Sequence, residues 1–519
     1  MFNDIRPYIT KDEPFGPIDS GDIDSSDLKA LLMLFEKHNW IYKNLHSRPS
    51  IIIGRRGSGK THYLRSVFFD QQYDYYVEIR TPRVLGQVAS AIQRMTSEVL
   101  FSEMVSELWD TILWLAVFLE IRKHPVLDPD DLNVVDGYLD KMRVRDTDTV
   151  DDVLRNVALL LEDIVSRNEA STTDFLWGAD KISLEDARSA VLRSLKAAGK
   201  KFAILMDSLD DFQLDINSVG RALQGLLKIV GSMNKPRDLV DIRFCLPSEL
   251  YQQFIKLSSN PNKDFRRALK LQWTAGELVL LGAQRLMFYL ALHHPSVLKR
   301  MSPLDLTKRT DALTLFNVVL PERITNQSGY REETISYILR HTQLLPRHFV
   351  ILLNSIFKSP GGNSRHFPIR EERIVNGIRQ VEDFMVREIF VAYDLVYPNA
   401  EETCRRCLPE LGHKFTMSDL HRVFTRHGKA VFGSDSVFDF QRMLLEMGAI
   451  GRVIPGSERD VYIKGNFEYT VSHQLSISQD DELCVHPLFS GIFNSDKKER
   501  PVYPYGCALD DEDYRDGSE

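Results

Sequence analysis

Residues 51–61 read Ile-Ile-Ile-Gly-Arg-Arg-Gly-Ser-Gly-Lys-Thr. From Gly54 onward they satisfy the spacing G-x-x-x-x-G-K-[ST], in which each constrained position has a physical task. The β-branched run Ile51, Ile52, Ile53 predicts a buried strand. Gly54, Gly57 and Gly59 let the backbone turn with its N–H groups inward, which makes an anion nest at the start of a helix over His62 to Phe69. Lys60 brings a point charge to the β- and γ-phosphates of a nucleotide, and the Thr61 hydroxyl is a ligand for Mg2+. Arg55 and Arg56 flank the nest and raise its positive potential. Ser58 completes the phosphate-contacting stretch from Gly54 to Thr61.

A second stretch corroborates the first independently. Residues 201–212 read Lys-Phe-Ala-Ile-Leu-Met-Asp-Ser-Leu-Asp-Asp-Phe. The apolar run Phe202–Met206 predicts a central buried strand, with Asp207 at its carboxyl end, where open α/β sheets hold their ligands. Asp207 is thus the expected second carboxylate of a magnesium site, whereas Asp211 suits the cap of the next helix. Asn234-Lys235 begins like a guanine-reading Asn-Lys-x-Asp motif, but Arg237 stands where the aspartate is needed. The expected nucleotide is therefore ATP.

Composition sets the outer bounds. With 519 residues, 43% hydrophobic and 27% charged, the chain is long enough for two to four cored domains. Five cysteines and no basic-then-apolar leader over Met1 to Ser20 point to a reducing cytoplasm. The longest apolar run, Ile112 to Leu119, is too short to cross a bilayer, so no membrane partner is expected. A net charge of −8 gives no overall pull toward nucleic acid. Cys404-Arg-Arg-Cys407 has a metal-ligand spacing but lacks a second pair, and reads as a helix with two free thiols.

Taken in order, residues 1–27 lack a sustained period and read as a flexible segment. Residues 28–272 form the expected nucleotide-binding core, opened by a helical pattern over Leu28 to Leu45. Its second strand is Tyr73 to Ile79. A large helical insertion spans 84–195, with apolar stripes at Phe101 to Ile121 and Val153 to Val165, and breaks at Asp128–Asp131 and Ser171–Asp174. A helix over Ile216 to Val230 leads to a strand, Val240 to Leu246, with Ser248 at its tip. Ser248 reads either as a sensor of the γ-phosphate or as a helix N-cap.

Residues 273–358 read as a helical layer with an apolar face at Leu278, Leu281, Leu286 and Leu290. Pro346 opens a helix and Arg347 follows it, which places a guanidinium at the helix start, facing a nucleotide if this layer is a lid. Residues 366–494 have the order helix, helix, hairpin of a winged helix, with helices at Met417–Arg426 and Val437–Met447. Strands are expected at Gly451–Ile454, Val461–Ile463 and Phe467–Val471. From Gly412 to Thr470 eight basic residues face seven acids, so a protein contact and a DNA contact both stay open for this module. Residues 495–519 read as an acidic, disordered tail.

With these features together, the chain resembles the AAA+ and STAND-like branch of P-loop ATPases, which includes origin-recognition initiators and the NACHT and KAP ATPases. It is also similar to bacterial P-loop ATPases of phage-defence systems. The resemblance implies an α/β fold: a P-loop parallel sheet with a large helical insertion, a helical lid and a C-terminal winged-helix-like module. It implies Mg2+-dependent ATP hydrolysis, with Lys60 and Thr61 on the phosphates and metal, Asp207 completing the metal site, Ser248 as first sensor and Arg347 as lid-borne second sensor. Ser208 occupies the position where many AAA+ members carry a catalytic glutamate, which leaves Asp210 or Asp211 as candidate base and predicts slow turnover. A homo-oligomer and a protein partner or effector are also implied. Arg266 and Arg267 are candidate fingers toward a neighbouring subunit.

Overall fold

The computed structural model describes residues 4–24, 27–34, 49–65, 73–79, 81, 84–86, 88–89, 101–142, 144, 152, 170–207, 217–233, 238–258, 260–326, 329–358, 367–456, 462–471, 474–493 and 500–508. By its internal contacts the chain divides into two units. One comprises residues 44–55 and 60–271, the other residues 1–43, 56–59 and 272–519. The helix Leu28–Leu34 therefore groups with the C-terminal unit and not, as expected, with the nucleotide-binding core.

The first unit is built on a parallel sheet of five strands: β1 (Ile51–Gly54), β2 (Tyr75–Ile79), β3 (Phe202–Met206), β4 (Val240–Pro247) and β5 (Ala268–Lys270). Their order is β2-β3-β4-β1-β5. β1, β3 and β4 are buried at every position, as continuous apolar runs should be when both sheet faces are covered. Two charged residues, Asp241 and Arg243, interrupt β4. Asp241 accepts a 2.7 Å hydrogen bond from the Tyr73 hydroxyl, and the Arg243 guanidinium lies over the same ring. The chain leaving β1 runs toward β2 on one side, and the chain leaving β4 crosses β1 to reach β5 on the other. The carboxyl ends of β1 and β4 thus bound a switch point, where open sheets admit ligands.

The helical insertion supplies Phe101–Ile121, Pro129–Lys141 and Ala170–Ala198. Asp128 caps the second of these by accepting from Asp131 N–H at 2.9 Å, with Pro129 at its first position. Phe101–Ile121 packs on Asn217–Met233, where the Trp109 indole donates to Ala222 O at 2.8 Å. A Cβ on Gly225 would fall 2.5 Å from Val105 Cγ1, so that glycine sets how closely the two helices approach. The expected break at Ser171–Asp174 does not occur, because the helix runs through it from Ala170 to Ala198. Its local turn-forming preference is overridden by a 29-residue helix. The apolar stripe at 153–165 lies outside the described residues.

The second unit carries the helical layer and the C-terminal module. Its long helix Ala275–His293 opens with a capping box between Thr274 and Glu277. Among the described residues this one helix is long and apolar enough to cross a membrane, yet 67% of that window is buried within the structure. Leu278, Leu281, Leu286 and Leu290 form its buried face, as their spacing predicts. The helices Arg309–Val319, Thr334–Arg340, Pro346–Phe357 and Glu371–Tyr393 follow, with a short hairpin of β6 (Arg323–Thr325) and β7 (Arg331–Glu333).

The described part of the N-terminal segment is built into this unit. Ile5, Ile9, Phe15 and Ile23 are buried. Buried Arg285 donates to Phe15 O at 2.7 Å, Pro17 O at 3.1 Å and Leu34 O at 3.2 Å, and desolvation pulls its pKa down to about 10. A segment without periodicity can therefore be fixed by side chains that reach it from distant helices.

The C-terminal module has a five-stranded sheet of β8 (Lys414–Thr416), β9 (Ile450–Val453), β10 (Ile463–Asn466), β11 (Glu482–Val485) and β12 (Val502–Pro504), ordered β12-β10-β9-β11-β8. The helices Met417–Val423 and Val437–Glu446 precede β9. Residues 467–471, expected as a strand, instead hold a 3-10 turn at Glu468–Thr470, and the strand that pairs with both β8 and β9 is β11. The expectation of a disordered tail from residue 495 fails for 500–508, since β12 pairs parallel to β10.

That last strand is clasped by a buried polar cluster. The Tyr503 hydroxyl and the Asn326 amide both donate to the Glu332 carboxylate, which forms a 3.1 Å ion pair with buried Arg340. Glu332→Ala should strand the Arg340 charge and cost about 3–5 kcal/mol, whereas Tyr503→Phe should cost about 1 kcal/mol. Urea unfolding of the two variants measures the difference, and equal costs would contradict this role for Glu332.

Candidate nucleotide-binding site

Two of the three glycines expected to turn the loop after β1 do so, whereas Gly54 ends the strand and pairs with Pro247. Gly57 and Gly59 have φ of +82° and +89°, the left-handed region that disfavours a side chain. Lys60 starts the helix Lys60–Arg65, is buried, and donates from Nζ to Arg55 O at 3.3 Å.

Within the sheet unit, Asp207 leaves β3 directly after Met206, which pairs with Phe244 of β4. Its carboxylate accepts from the Thr61 hydroxyl at 3.2 Å on Oδ1 and 3.1 Å on Oδ2. Two hard oxygen donors thus stand together beside the loop. Magnesium is usually bound through one or two protein oxygens with waters and substrate phosphates completing the octahedron, so Thr61 and Asp207 fit that ion. Among the described residues no group of three or more His, Cys, Asp or Glu side chains gathers as a metal cluster. Cys404 and Cys407 are buried, and desolvation raises both thiols, Cys407 to about 12. Neither has the lowered pKa that marks a reactive or metal-binding thiolate.

Ser248 follows Pro247, the residue of β4 that pairs with Gly54. It opens the 3-10 turn Ser248–Leu250, with Pro247 rather than Ser248 in the cap position, and its hydroxyl lies 3.4 Å from Glu249 Oε2. Asp210 and Asp211 lie outside the described residues. Arg266 and Arg267 precede β5, and Arg267 O accepts from Ser50 and Ile51 N–H. They therefore sit at the amino-terminal end of β1 and β5, opposite the loop, and cannot reach the loop of their own chain.

In the second unit, which contains residues 56–59, the helix Pro346–Phe357 meets the loop directly. Pro346 takes the first position, as the sequence predicts, and Arg347 N–H donates to Gly57 O at 3.3 Å. The Trp273 indole donates to Ser58 O at 2.9 Å, a contact that no local motif signalled. A Cβ on Gly57 would lie 3.0 Å from Arg347 Cβ and 3.2 Å from its Cδ. The Arg347 guanidinium pairs with Asp19 at 2.5 Å and with Glu388 at 3.5 Å. Asp19 was not legible as a site residue, since it lies 328 positions away in a stretch without periodicity.

The winged-helix-like module neutralises much of its own charge. Lys414 pairs with Glu482, Arg422 with Asp419, Lys429 with Asp435, Arg442 with Glu446 and Arg452 with Asp481. These bases are not presented as an unpaired stripe of the kind that tracks a phosphate backbone.

No family model matches the chain, and no curated protein matches it in sequence. Among solved structures it is similar to the ORC2 protein of Aeropyrum pernix in ADPNP-ADP complexes, at 11% identity over 88% of this chain and 91% of that one, with a TM-score of 0.36. The ADP form of that protein matches at 10% identity over 91% of this chain and 93% of that one, with a TM-score of 0.30. Likeness so distant leaves function to the chain's own residues.

Gly57→Ala should force a left-handed alanine against the Arg347 stem. The cost expected from the backbone alone is about 1–2 kcal/mol. Thermal unfolding together with nucleotide titration measures it, and unchanged stability with unchanged binding would contradict the loop geometry.

Proposed function

We propose that this chain is an ATP-binding, slowly ATP-hydrolysing molecular switch that couples its nucleotide state to assembly or to engagement of a protein partner. The observation that carries this reading is the Thr61–Asp207 contact, which joins two phosphate-site motifs 146 positions apart in the chain. Gly54 to Gly59 would cradle the phosphates through backbone N–H groups, with Arg55 and Arg56 adding charge and Lys60 reaching the β- and γ-phosphates. Thr61 and Asp207 would hold magnesium, which when bound offsets the charge developing on the phosphate oxygens. Ser248 would orient the γ-phosphate or the attacking water, and Arg347 would respond to the γ-phosphate.

Hydrolysis would proceed by in-line attack of a water oxygen on the γ-phosphorus. The bond from that phosphorus to the β–γ bridging oxygen breaks, and its electron pair stays on the ADP. Asp210 or Asp211 would take the water proton, and the lack of a glutamate at Ser208 supports slow turnover. An arginine such as Arg266 or Arg267 could act only on the site of a neighbouring subunit in a homo-oligomer, given its place at the far end of the sheet.

The alternative is an ATP-licensed DNA-binding initiator acting through the C-terminal module. The ion pairs on Arg422 and Arg442 weigh against it, and favour a protein partner for that module. The sequence resemblance to phage-defence ATPases keeps a defence role among the biological settings for such a switch, and neither matched structure speaks to it. A cytoplasmic setting follows from the same reading.

Phosphate release from Mg–ATP by the purified protein, with and without double-stranded DNA, tests the proposal. Lys60→Ala and Asp207→Ala should each lower turnover on the order of 100-fold or more. DNA should leave the wild-type rate unchanged. An unaltered rate in Lys60→Ala would sink the assignment, and strong stimulation by DNA would move it to the initiator.

A further inference from the structure

Within the second unit, the helical layer and the C-terminal module meet over a buried histidine that no step of the nucleotide reading uses. His341 directly follows the helix Thr334–Arg340, and its Nδ1 stands 2.9 Å from Oε1 of Glu382 on the helix Glu371–Tyr393. The two side chains are only 9% and 10% exposed, and His341 Nε2 has no hydrogen-bond partner among the described residues. Glu382 also faces Gly491, where a Cβ would fall 3.1 Å from Oε2 and 3.2 Å from Oε1. That glycine lets the helix Pro487–Phe493 close on the carboxylate. Phe390, on the same helix as Glu382, seats it through ring contacts with Phe489 at 6.0 Å and Phe493 at 6.4 Å.

The charged and titratable groups around His341 decide what a proton there does. From its own helix come Arg340 and the Tyr337 ring, edge-on at 5.0 Å. The helix Glu371–Tyr393 brings Glu382 and also Arg379, which acts on Tyr337, and β7 brings Glu332. Glu332 is already engaged by Arg340, by the Tyr503 hydroxyl of β12 and by Asn326. A protonated His341 would therefore find one carboxylate, Glu382, and one cation, Arg340. Burial, with Arg340 adding to it, holds the imidazole below its ordinary pKa in spite of the pull of Glu382. The ring is thus neutral in the closed unit at neutral pH.

We propose that His341 is an acid-sensitive latch between the helical layer and the C-terminal module, closed while its ring is neutral and loosened by a proton, so that docking of the helix Pro487–Phe493 weakens under acid. That helix, seven residues long and closed on Glu382 through a glycine, is the cover whose departure admits water to the pair. A buried imidazolium beside a guanidinium loses more hydration than one carboxylate returns, whereas in water the same charge is unopposed. The closed joint resists the proton, and the opened one binds it with the ordinary histidine pKa of about 6.5. Stability of the joint is therefore full above that value and falls as pH drops below it. The latch lies wholly within the second unit and does not involve the nucleotide site.

The test is hydrogen–deuterium exchange of the full chain, corrected for the intrinsic pH dependence of exchange, at about one pH unit above and one below the ordinary histidine pKa. In the wild type, exchange over 487–493 should be faster at the lower pH, by up to about tenfold, the limit that one histidine sets. His348 and His486 are buried in the same unit, so the wild-type response alone does not name the group. His341→Gln keeps a polar side chain and takes up no proton, and it should remove the response. Glu382→Gln removes the one carboxylate that favours the imidazolium, and it should keep the response. Circular dichroism at the higher pH shows that both variants are folded. Wild-type exchange over 487–493 that is unchanged or slower at the lower pH would overturn the proposal without any variant. A response that survives intact in His341→Gln, or that is lost in Glu382→Gln, would overturn it as well.

Discussion

The hydrogen bond from the Thr61 hydroxyl to both oxygens of Asp207 is the contact on which the sheet unit turns. Neither residue is informative alone, since a threonine at a helix start and an aspartate after a strand are common. Their meeting requires β1 and β3 to stand in one parallel sheet with β4 between them, and the insertion of 101–198 to return the chain to β3 in register. Fully buried apolar strands make that register rigid, because a slip would move every side chain. The sheet thus brings the Thr61 hydroxyl and the Asp207 carboxylate together.

Within the second unit, residues 57 and 58 are held by different chemistry. Gly57 and Ser58 present carbonyls to Arg347 N–H and to the Trp273 indole, and Arg347 in turn gathers Asp19 and Glu388. Both of these carboxylates are partly exposed. The contrast lies in the same unit, where Arg340 and Glu332 are buried together with Tyr503 and serve to clasp the last strand. Burial distinguishes the two ion pairs, and losing one partner costs more in the buried one.

How much of this was legible in the sequence depends on where each contact's information lies. The loop from Gly54 to Thr61 and the strand ending at Asp207 are local patterns, with glycines, β-branched runs and a carboxylate at set positions, and they predict the α/β sheet and the core of the site. Pro346 likewise marks a helix start from its own chemistry. The N-terminal segment, β11 and β12 are specified by distant partners. Phe15 and Pro17 are fixed by Arg285 and Asn354, and a three-residue strand such as Val502–Pro504 has no period to read. Asp19 is an ordinary acid until Arg347 stands beside it. The ion pairs of the winged-helix-like module were hidden in the same way, since the count of eight bases against seven acids says nothing of which pairs form.

The most direct measurement is equilibrium titration of the purified chain with a fluorescent ATP analogue, with magnesium present and with magnesium chelated, for wild type and Thr61→Ala. Saturable binding to one site, weakened by chelation in the wild type and insensitive to chelation in Thr61→Ala, is the expected result. No saturable binding, or binding with the same response to magnesium in both proteins, would contradict the assignment of Thr61 and Asp207 as the metal-holding pair of a nucleotide switch.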